Sequence, residues 1–172
     1  NTLYILVDGD AIRKVLDEPT PSHRANAEAR VAFVSRLHPN FDKVRHIDET
    51  GREAFRVNHG GEIVPVAALQ DKAERPFFQR SARLSAGEIY VSAFDLNMDN
   101  GVIEEPHKPT LRFAVPVFNS AGQSRGIIII NYLGGRLIER LQSLTAPFAG
   151  RFRLLNAGGY WIRAADRSHE WG

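Results

Sequence analysis

Four polar side chains interrupt segments that otherwise have the alternation of buried strands. Tyr90 and Ser92 alternate with apolar residues, Arg112 lies between two apolar residues, and Asn131 follows a run of isoleucines. Alternate residues of a strand point to one side, so these groups form a pocket floor if their faces coincide. Arginine binds carboxylates through paired hydrogen bonds, which indicates a carboxylate ligand at Arg112. An internal Asp or Glu partner, or a place on a solvent face, explains Arg112 equally well.

A second group of candidate ligand residues precedes a short predicted helix. Arg75 comes directly before Pro76, and Phe77 and Phe78 follow. Such a segment can roof a pocket, with the aromatic rings enclosing the ligand and Arg75 fixing its charge. The alternative is that the two phenylalanines belong to the ordinary core. The predicted ligand-binding set is Arg75, Phe77, Phe78, Tyr90, Ser92, Arg112 and Asn131.

The sequence favours neither catalysis nor metal binding. Residues 95–101 resemble a calcium loop, but Asn100 and Pro106 stand where an EF-hand requires Gly and Glu. No two histidines have the spacing of a zinc site on a predicted helix, and no nucleophile elbow or phosphate loop occurs. We therefore expect no catalytic residue, no metal and no cofactor. The competing hypothesis is a small hydrolase or transferase that uses Asp95, Asp99 and His107.

The sequence contains four helical patterns. Ala25, Ala29, Phe33 and Leu37 recur every four residues, which predicts a long helix over 22–37 with Ser22 as its N-cap and these four residues facing the core. Shorter helices are predicted over 10–17, 73–84 and 135–144.

The strand patterns predict an α+β domain. A mostly antiparallel sheet of about five strands flanked by helices is expected, and its predicted strands are 44–48, 52–58, 88–94, 110–118 and 125–132. Ile127 to Ile130 leave no polar face, which predicts a central strand covered on both sides. Asp48, Asn119 and Asn156 each stand three residues before a glycine, which predicts three similar hairpin turns.

Composition excludes several classes of partner. The chain has 22 basic and 20 acidic residues among 172, without a basic stripe, so nucleic acid is not an expected partner. It has no cysteine, which excludes disulfides and thiolate sites. Its longest apolar run, 126–133, is far shorter than the roughly 20 residues that cross a bilayer. We expect any membrane segments to lie outside these 172 residues.

The predicted domain division places a boundary near residue 150. Residues 1–150 are expected to form one domain, with a helical lead-in over 1–38 and the sheet core over 41–145. Residues 151–172 are interpreted as the start of a second, truncated unit of the same kind or as a C-terminal hairpin.

A series of short motifs carries a resemblance to a known family. The motifs are VRHIDETGRE at 44–53, RVN at 56–58, LQDK at 69–72, RPFF at 75–78, GEIYVS at 87–92, DLN at 95–97, KPTLRFA at 108–114 and RGI at 125–127. In this order they resemble the membrane-distal half of double Cache sensor domains of bacterial histidine kinases and diguanylate cyclases. The resemblance implies a PAS-like fold, with a five-stranded antiparallel sheet flanked by helices. Residues 152–172 are similar to the opening of the membrane-proximal half.

The resemblance implies a sensing function. It implies an extracytoplasmic domain, on the periplasmic side of the inner membrane, that binds a small carboxylate or an amino-acid-like molecule and catalyses nothing. It also implies membrane segments outside this chain, a kinase or diguanylate cyclase output domain, and a receptor that can act as a homodimer. Phe77 and Phe78 stand where amino-acid-binding members often have Trp or Tyr. The alternative within the family is a ligand-free spacer or dimerisation domain.

Overall fold

Helices over residues 10–17 and 21–37 precede the sheet, as the sequence pattern predicts. The computed structural model describes residues 6, 9–99, 102–145 and 152–171. Helix α1 spans Asp10–Asp17 and buries Ile12, Val15 and Leu16. Helix α2 spans Pro21–Leu37 and begins one residue before the predicted start.

The N-cap of α2 is Thr20, not the predicted Ser22. The Thr20 hydroxyl accepts a hydrogen bond from the backbone N–H of His23 at 3.2 Å, and Pro21 occupies the first helical position. Proline is well suited to that position because it lacks the N–H that would stay unpaired there.

The predicted buried face of α2 is wrong. Phe33 and Leu37 are 50% and 62% exposed, whereas the buried residues are Ala27, Val31, Ala32, Val34 and Ser35. Both sets have helical spacing, so periodicity could not separate them. The buried set consists of small and β-branched residues, which let the helix approach the hairpin of the sheet closely.

The sheet is antiparallel at each pair whose register is described. Strands β1 (Phe41–Ile47) and β2 (Glu53–Asn58) form the predicted hairpin, in which Val44 pairs with Val57. The other strands of the main sheet are β3 (Glu62–Ile63), β4 (Tyr90–Val91), β5 (Asp95–Leu96), β8 (Pro109–Phe118) and β9 (Ser124–Leu133). Their order is β3-β2-β1-β9-β8-β4, and β5 pairs with β8. The predicted strand over 88–94 is thus only a two-residue strand at Tyr90–Val91.

Strand β9 lies between β1 and β8, and Ile127 to Ile130 are all at most 3% exposed. The prediction of a central strand buried on both faces is confirmed. Such a run has no solvent-facing side and therefore needs no polar alternation.

The remaining elements are short, except for the last helix. Helix α3 spans Pro76–Ser81 and helix α4 spans Gly135–Leu144, the latter as predicted. Strands β6 (Met98–Asp99) and β7 (Val102–Ile103) form one small sheet, and β10 (Leu154–Leu155) and β11 (Trp161–Arg163) form another. No helix among the described residues is long and apolar enough to span a bilayer.

The three predicted hairpin turns are confirmed. The Asp48 carboxylate accepts hydrogen bonds from the backbone N–H groups of Thr50 and Arg52 at 2.9 and 3.0 Å. Asn119 and Asn156 cap their turns in the same way. The glycine three residues later has φ of +92°, +75° and +83° in the three turns, a backbone conformation that other residues rarely adopt.

The chain forms two compact units. The first comprises Asn1–Val91 and Phe113–Asn131, and the second comprises Ser92–Arg112 and Tyr132–Gly172. The predicted division at residue 150, with a second truncated sensor unit after it, stays a prediction.

Candidate functional site

An apolar cluster in the first unit brings together three of the predicted ligand residues. Phe77 and Phe78, from α3, pack with Tyr90 against the sheet. The sheet residues of this cluster are Ile47, Ala114, Ile127 and Ile129. The cluster contains residues from β1, β8, β9 and α3, so its composition depends on tertiary packing.

Phe77 and Phe78 are 9% and 8% exposed, and they therefore belong to the core. Their burial agrees with the alternative in which these rings are core residues. Tyr90 is half-buried at the edge of the cluster, and its hydroxyl makes no hydrogen bond to any residue that the structure describes.

Arg75 is the N-cap residue of α3, and its position is fixed by its backbone. Its N–H donates to the Lys72 carbonyl at 2.9 Å, and its carbonyl accepts from Phe78 and Gln79 at 2.9 and 3.1 Å. The side chain is half-buried, and within the described residues its guanidinium has neither a hydrogen bond nor an ion pair. An arginine in this state has all five N–H donors available for an anion.

Asn131 is buried and lies two residues beyond Ile129, on the same face of β9. Its side-chain oxygen accepts a hydrogen bond from Arg45 at 3.1 Å. The predicted polar end of the isoleucine strand is therefore connected to a buried arginine of β1. Sequence analysis did not single out Arg45.

Arg45 belongs to a buried ionic cluster with Glu53 and Arg56. The Glu53 carboxylate is fully buried and lies 3.0 Å from Arg45 and 3.2 Å from Arg56. It also accepts the backbone N–H of Gln70 at 3.1 Å, and Arg56 donates to the Ala68 carbonyl at 3.2 Å. One buried carboxylate therefore holds two arginines, one from each strand of the hairpin.

Ser92 and Arg112, the other two predicted ligand residues, lie in the second unit and bond to each other. Ser92 donates its hydroxyl to the Ala93 carbonyl at 2.7 Å, and its oxygen accepts from the Arg112 backbone at 2.9 Å. The Arg112 guanidinium donates to Asn97 at 3.2 Å, and Asn97 donates to Glu104 at 2.7 Å. Arg112 is thus connected through the Asn97 amide to the Glu104 carboxylate. This arrangement is similar to the alternative in which Arg112 pairs with an internal Asp or Glu.

The geometry offers no support for the hydrolase hypothesis. Asp95 is exposed and accepts from the neighbouring backbone N–H of Leu96, and the exposed His107 Nε2 lies 2.8 Å from the Glu105 carboxylate. The side chain of Asp99 lies outside the described residues. Across the described part of the chain, no group of three or more His, Asp or Glu residues is arranged to hold a metal ion.

His46 is a buried titratable group on β1. Its Nε2 lies 2.8 Å from the Arg125 carbonyl, an acceptor, so Nε2 carries the proton. Its Nδ1 is buried without a partner among the described residues. Burial lowers the pKa of His46 below its usual 6.5, and the Arg125 carbonyl, Asp48 and Glu49 only partly oppose this effect.

This lowered pKa predicts acid destabilisation. Above pH 6.5 His46 is neutral in both the folded and the unfolded state. As the pH falls below 6.5, the unfolded state binds a proton at His46 while the folded state still does not, because the pKa is lower in the folded state. The free energy of unfolding therefore falls. We expect a loss of about 1 kcal/mol per pH unit below this value from His46. Urea unfolding at pH 7.5, 6.5 and 5.5 tests this, with His46→Gln expected to flatten the dependence. The exposed His169→Gln is the matched control, and an equal flattening in it would contradict the assignment.

Comparisons with known proteins agree with this fold. The chain is similar to a domain of a sensory box/GGDEF family protein from Vibrio parahaemolyticus, with a TM-score of 0.77 and 24% identity over 97% of this chain and 63% of the other. It is also similar to the extracellular domain of the histidine kinase vpHK1S-Z8, with a TM-score of 0.76. The two are 22% identical, and the match covers 97% of this chain and 60% of the other. The chain therefore spans about three fifths of the length of these two structures.

A third similar structure is the ligand-binding domain of the Pseudomonas aeruginosa amino acid chemoreceptor PctC. Its TM-score is 0.64, with 20% identity over 99% of this chain and 67% of the other. No curated protein matches the chain in sequence. These likenesses confirm the predicted α+β Cache-type fold.

A family model settles the membership. The model of the bacterial histidine kinase sensor domain matches residues 1–172, the whole chain. Its members are sensor domains, extracytoplasmic in their receptors and not themselves catalytic, which agrees with the predicted sensing function. The chain belongs to the bacterial histidine kinase sensor domain family.

Proposed function

We propose that this domain senses a small organic carboxylate, which binds at Arg75 beside the cluster of Phe77, Phe78 and Tyr90. The observation that carries the proposal is Arg75, a half-buried residue whose guanidinium has no partner among the described residues. A partly desolvated arginine binds a carboxylate more strongly than a solvated one does, and the half-buried Tyr90 ring at the edge of the cluster suits an apolar ligand body.

Amino acids are the favoured ligand class. The PctC domain was solved in complex with GABA, and the similar chemoreceptor Tlp3 of Campylobacter jejuni was solved with isoleucine bound. Both ligands carry a carboxylate, the group that Arg75 is suited to hold. The Tyr90 hydroxyl, also without a described partner, is a candidate acceptor for an ammonium group.

The remaining predicted residues enter the proposal in different roles. Asn131 contributes through Arg45, whose guanidinium it holds. Ser92 and Arg112 remain candidate ligand residues, although each already has a bond within the second unit.

In the full receptor we place the domain on the periplasmic side of the inner membrane, attached through segments outside this chain. Ligand binding would shift the population between two states of the domain, driven by its higher affinity for one of them. The shift would pass to a histidine kinase or diguanylate cyclase output domain, in a receptor that acts as a homodimer.

A thermal-shift screen with matched variants tests the ligand site. An amino acid at 100 times its Kd is expected to stabilise the domain by about 2.7 kcal/mol, roughly 5–10 °C in a domain of this size. Arg75→Ala is expected to abolish the shift while its own Tm stays within about 2 °C, because the side chain has no partner to lose. Arg80→Ala, an exposed arginine of the same helix, is the control and is expected to keep the shift.

Two outcomes would contradict the proposal. If Arg75→Ala retained the full shift, the carboxylate would bind elsewhere. Arg112→Ala in the same screen would then test whether the other predicted arginine holds it. If no amino acid or other carboxylate shifted the wild-type Tm, the ligand-free spacer would be the better interpretation of the domain.

A further inference from the structure

The first unit contains an open cleft that the proposed sensing site does not use. Its volume is about 520 Å³, within the range of roughly 300–1,000 Å³ typical of small-molecule sites. It lies between the start of α2 and the segment that follows β2. Its apolar lining consists of Pro19, Pro21, Ile63, Val64, Pro65 and Val66.

The apolar lining of this cleft is rigid and solvent-accessible. Three of its six residues are prolines, whose φ angles are fixed, so little conformational entropy is lost when a ligand binds. Ile63 and Val66 are 43% and 67% exposed, so a bound apolar group would remove their surfaces from water.

Two charged residues complete the cleft, Arg24 and Glu28. Arg24 donates its Nε to the Glu28 carboxylate at 2.8 Å. Their side chains are only 25% and 14% exposed. A guanidinium has five N–H donors, and this bond uses the Nε donor alone, so Arg24 is the group that can receive an anion from the cleft.

A second cleft of about 410 Å³ continues from the first, because Arg24 and Val66 line both. It adds Arg52, whose side chain is 76% exposed and lies 3.9 Å from Asp71. The other carboxylate there, Glu53, is already paired with Arg45 and Arg56. The junction between the two clefts therefore holds the guanidinium groups of Arg24 and Arg52. Each lies against one carboxylate, Glu28 or Asp71, and neither guanidinium makes another side-chain bond among the described residues.

We propose that these clefts form a second small-molecule site, which binds a monocarboxylate with an apolar body. The carboxylate lies at Arg24, and the apolar body lies on the wall of prolines. This site is separate from the one at Arg75, since the two share no residue, and it does not depend on the sensing function proposed above.

Titration followed by amide NMR tests this site, with 3-phenylpropionate as the probe and 3-phenylpropanol as its neutral analogue. The acid is expected to shift amide signals of residues 19–28 and 63–71 and to bind at least tenfold more tightly than the alcohol. Arg24→Gln is expected to weaken binding of the acid at least tenfold. Arg30→Gln, an exposed arginine of the same helix, is expected to leave it within twofold.

A second variant tests the site without breaking the pair of Arg24 and Glu28. Val66→Glu places a carboxylate in both clefts at an exposed position, so it should fold normally and also weaken binding at least tenfold. The proposal is overturned if the amide signals of the wild type do not shift when the acid is added to about 20 mM, roughly a 20-fold excess over the protein. It is equally overturned if Arg30→Gln weakens binding as much as Arg24→Gln, or if only Arg75→Ala abolishes it, which would place the probe at the sensing site.

Discussion

Replacing Gly126 with alanine will destabilise the domain by about 3 kcal/mol or more, because two independent costs meet at this position. The backbone of Gly126 has φ of +85°, which costs an L-residue roughly 1–2 kcal/mol. A Cβ added there would lie 2.0 Å from the Ile47 carbonyl oxygen and 2.5 Å from the carbonyl carbon of Asp48. Both contacts are with backbone, which cannot move aside as a side chain can, and overpacking costs a further 1–3 kcal/mol.

Gly122→Ala is the matched control for this prediction. Gly122 has a similar φ of +75°, but nothing lies within 4 Å of its added Cβ. It therefore carries the conformational cost without the steric one, and we expect it to destabilise by only about 1 kcal/mol. Urea unfolding of both variants measures the difference. Equal losses would show that β1 and β9 separate readily at Gly126, and would refute the close approach as the cause.

Replacing Glu53 with glutamine is expected to destabilise the domain by about 3 kcal/mol. The change keeps the shape of the side chain but removes the only carboxylate that is described on both Arg45 and Arg56. Both buried guanidinium groups would then lose the negative charge of Glu53, and removing one partner of a buried ion pair is costly. Glu53 also orients Arg45, which donates a hydrogen bond to Asn131 at 3.1 Å, so the substitution would disturb Asn131 as well.

Glu49→Gln is the control for this prediction. Glu49 is 48% exposed in its side chain and lies 3.7 Å from Arg125, an ordinary surface pair worth at most about 1 kcal/mol. Unfolding of both variants in urea, at pH 7.5 and at high and low salt, tests the assignment. A loss for Glu53→Gln no greater than that for Glu49→Gln would mean that water reaches the cluster and that the arginines need no internal partner.

Features with short-range causes were predictable from the residues. The turns at Asp48, Asn119 and Asn156 depend on one side-chain oxygen and a glycine three residues later, and the structure has all three. The helix Gly135–Leu144 and the central strand of Ile127 to Ile130 follow from local periodicity in the same way. The sensing function was predictable as well, although it came from a resemblance and not from these patterns.

The candidate site was predictable only in part. The apolar alternation placed Tyr90 near the cluster, and the Pro76 helix start placed Arg75 beside Phe77 and Phe78. The sequence could not show that both phenylalanines are buried, because a short helix of six residues has no periodicity to indicate its inner face. It could not show that Ser92 and Arg112 bond to each other either, since 20 residues separate them.

The sequence by itself determined the class of fold, the turns, the central strand and the family. Tertiary structure decided which of two helical faces of α2 is buried, leaving Phe33 and Leu37 exposed, because the hairpin accommodates the smaller side chains. It also decided which arginines are paired. Arg45 forms a hydrogen bond with Asn131, 86 residues further along the chain, whereas the Arg75 guanidinium has no partner among the described residues. Such pairings depend on which distant strands lie side by side in the fold. Both residues are arginines, so residue type by itself could not indicate which of them has a partner.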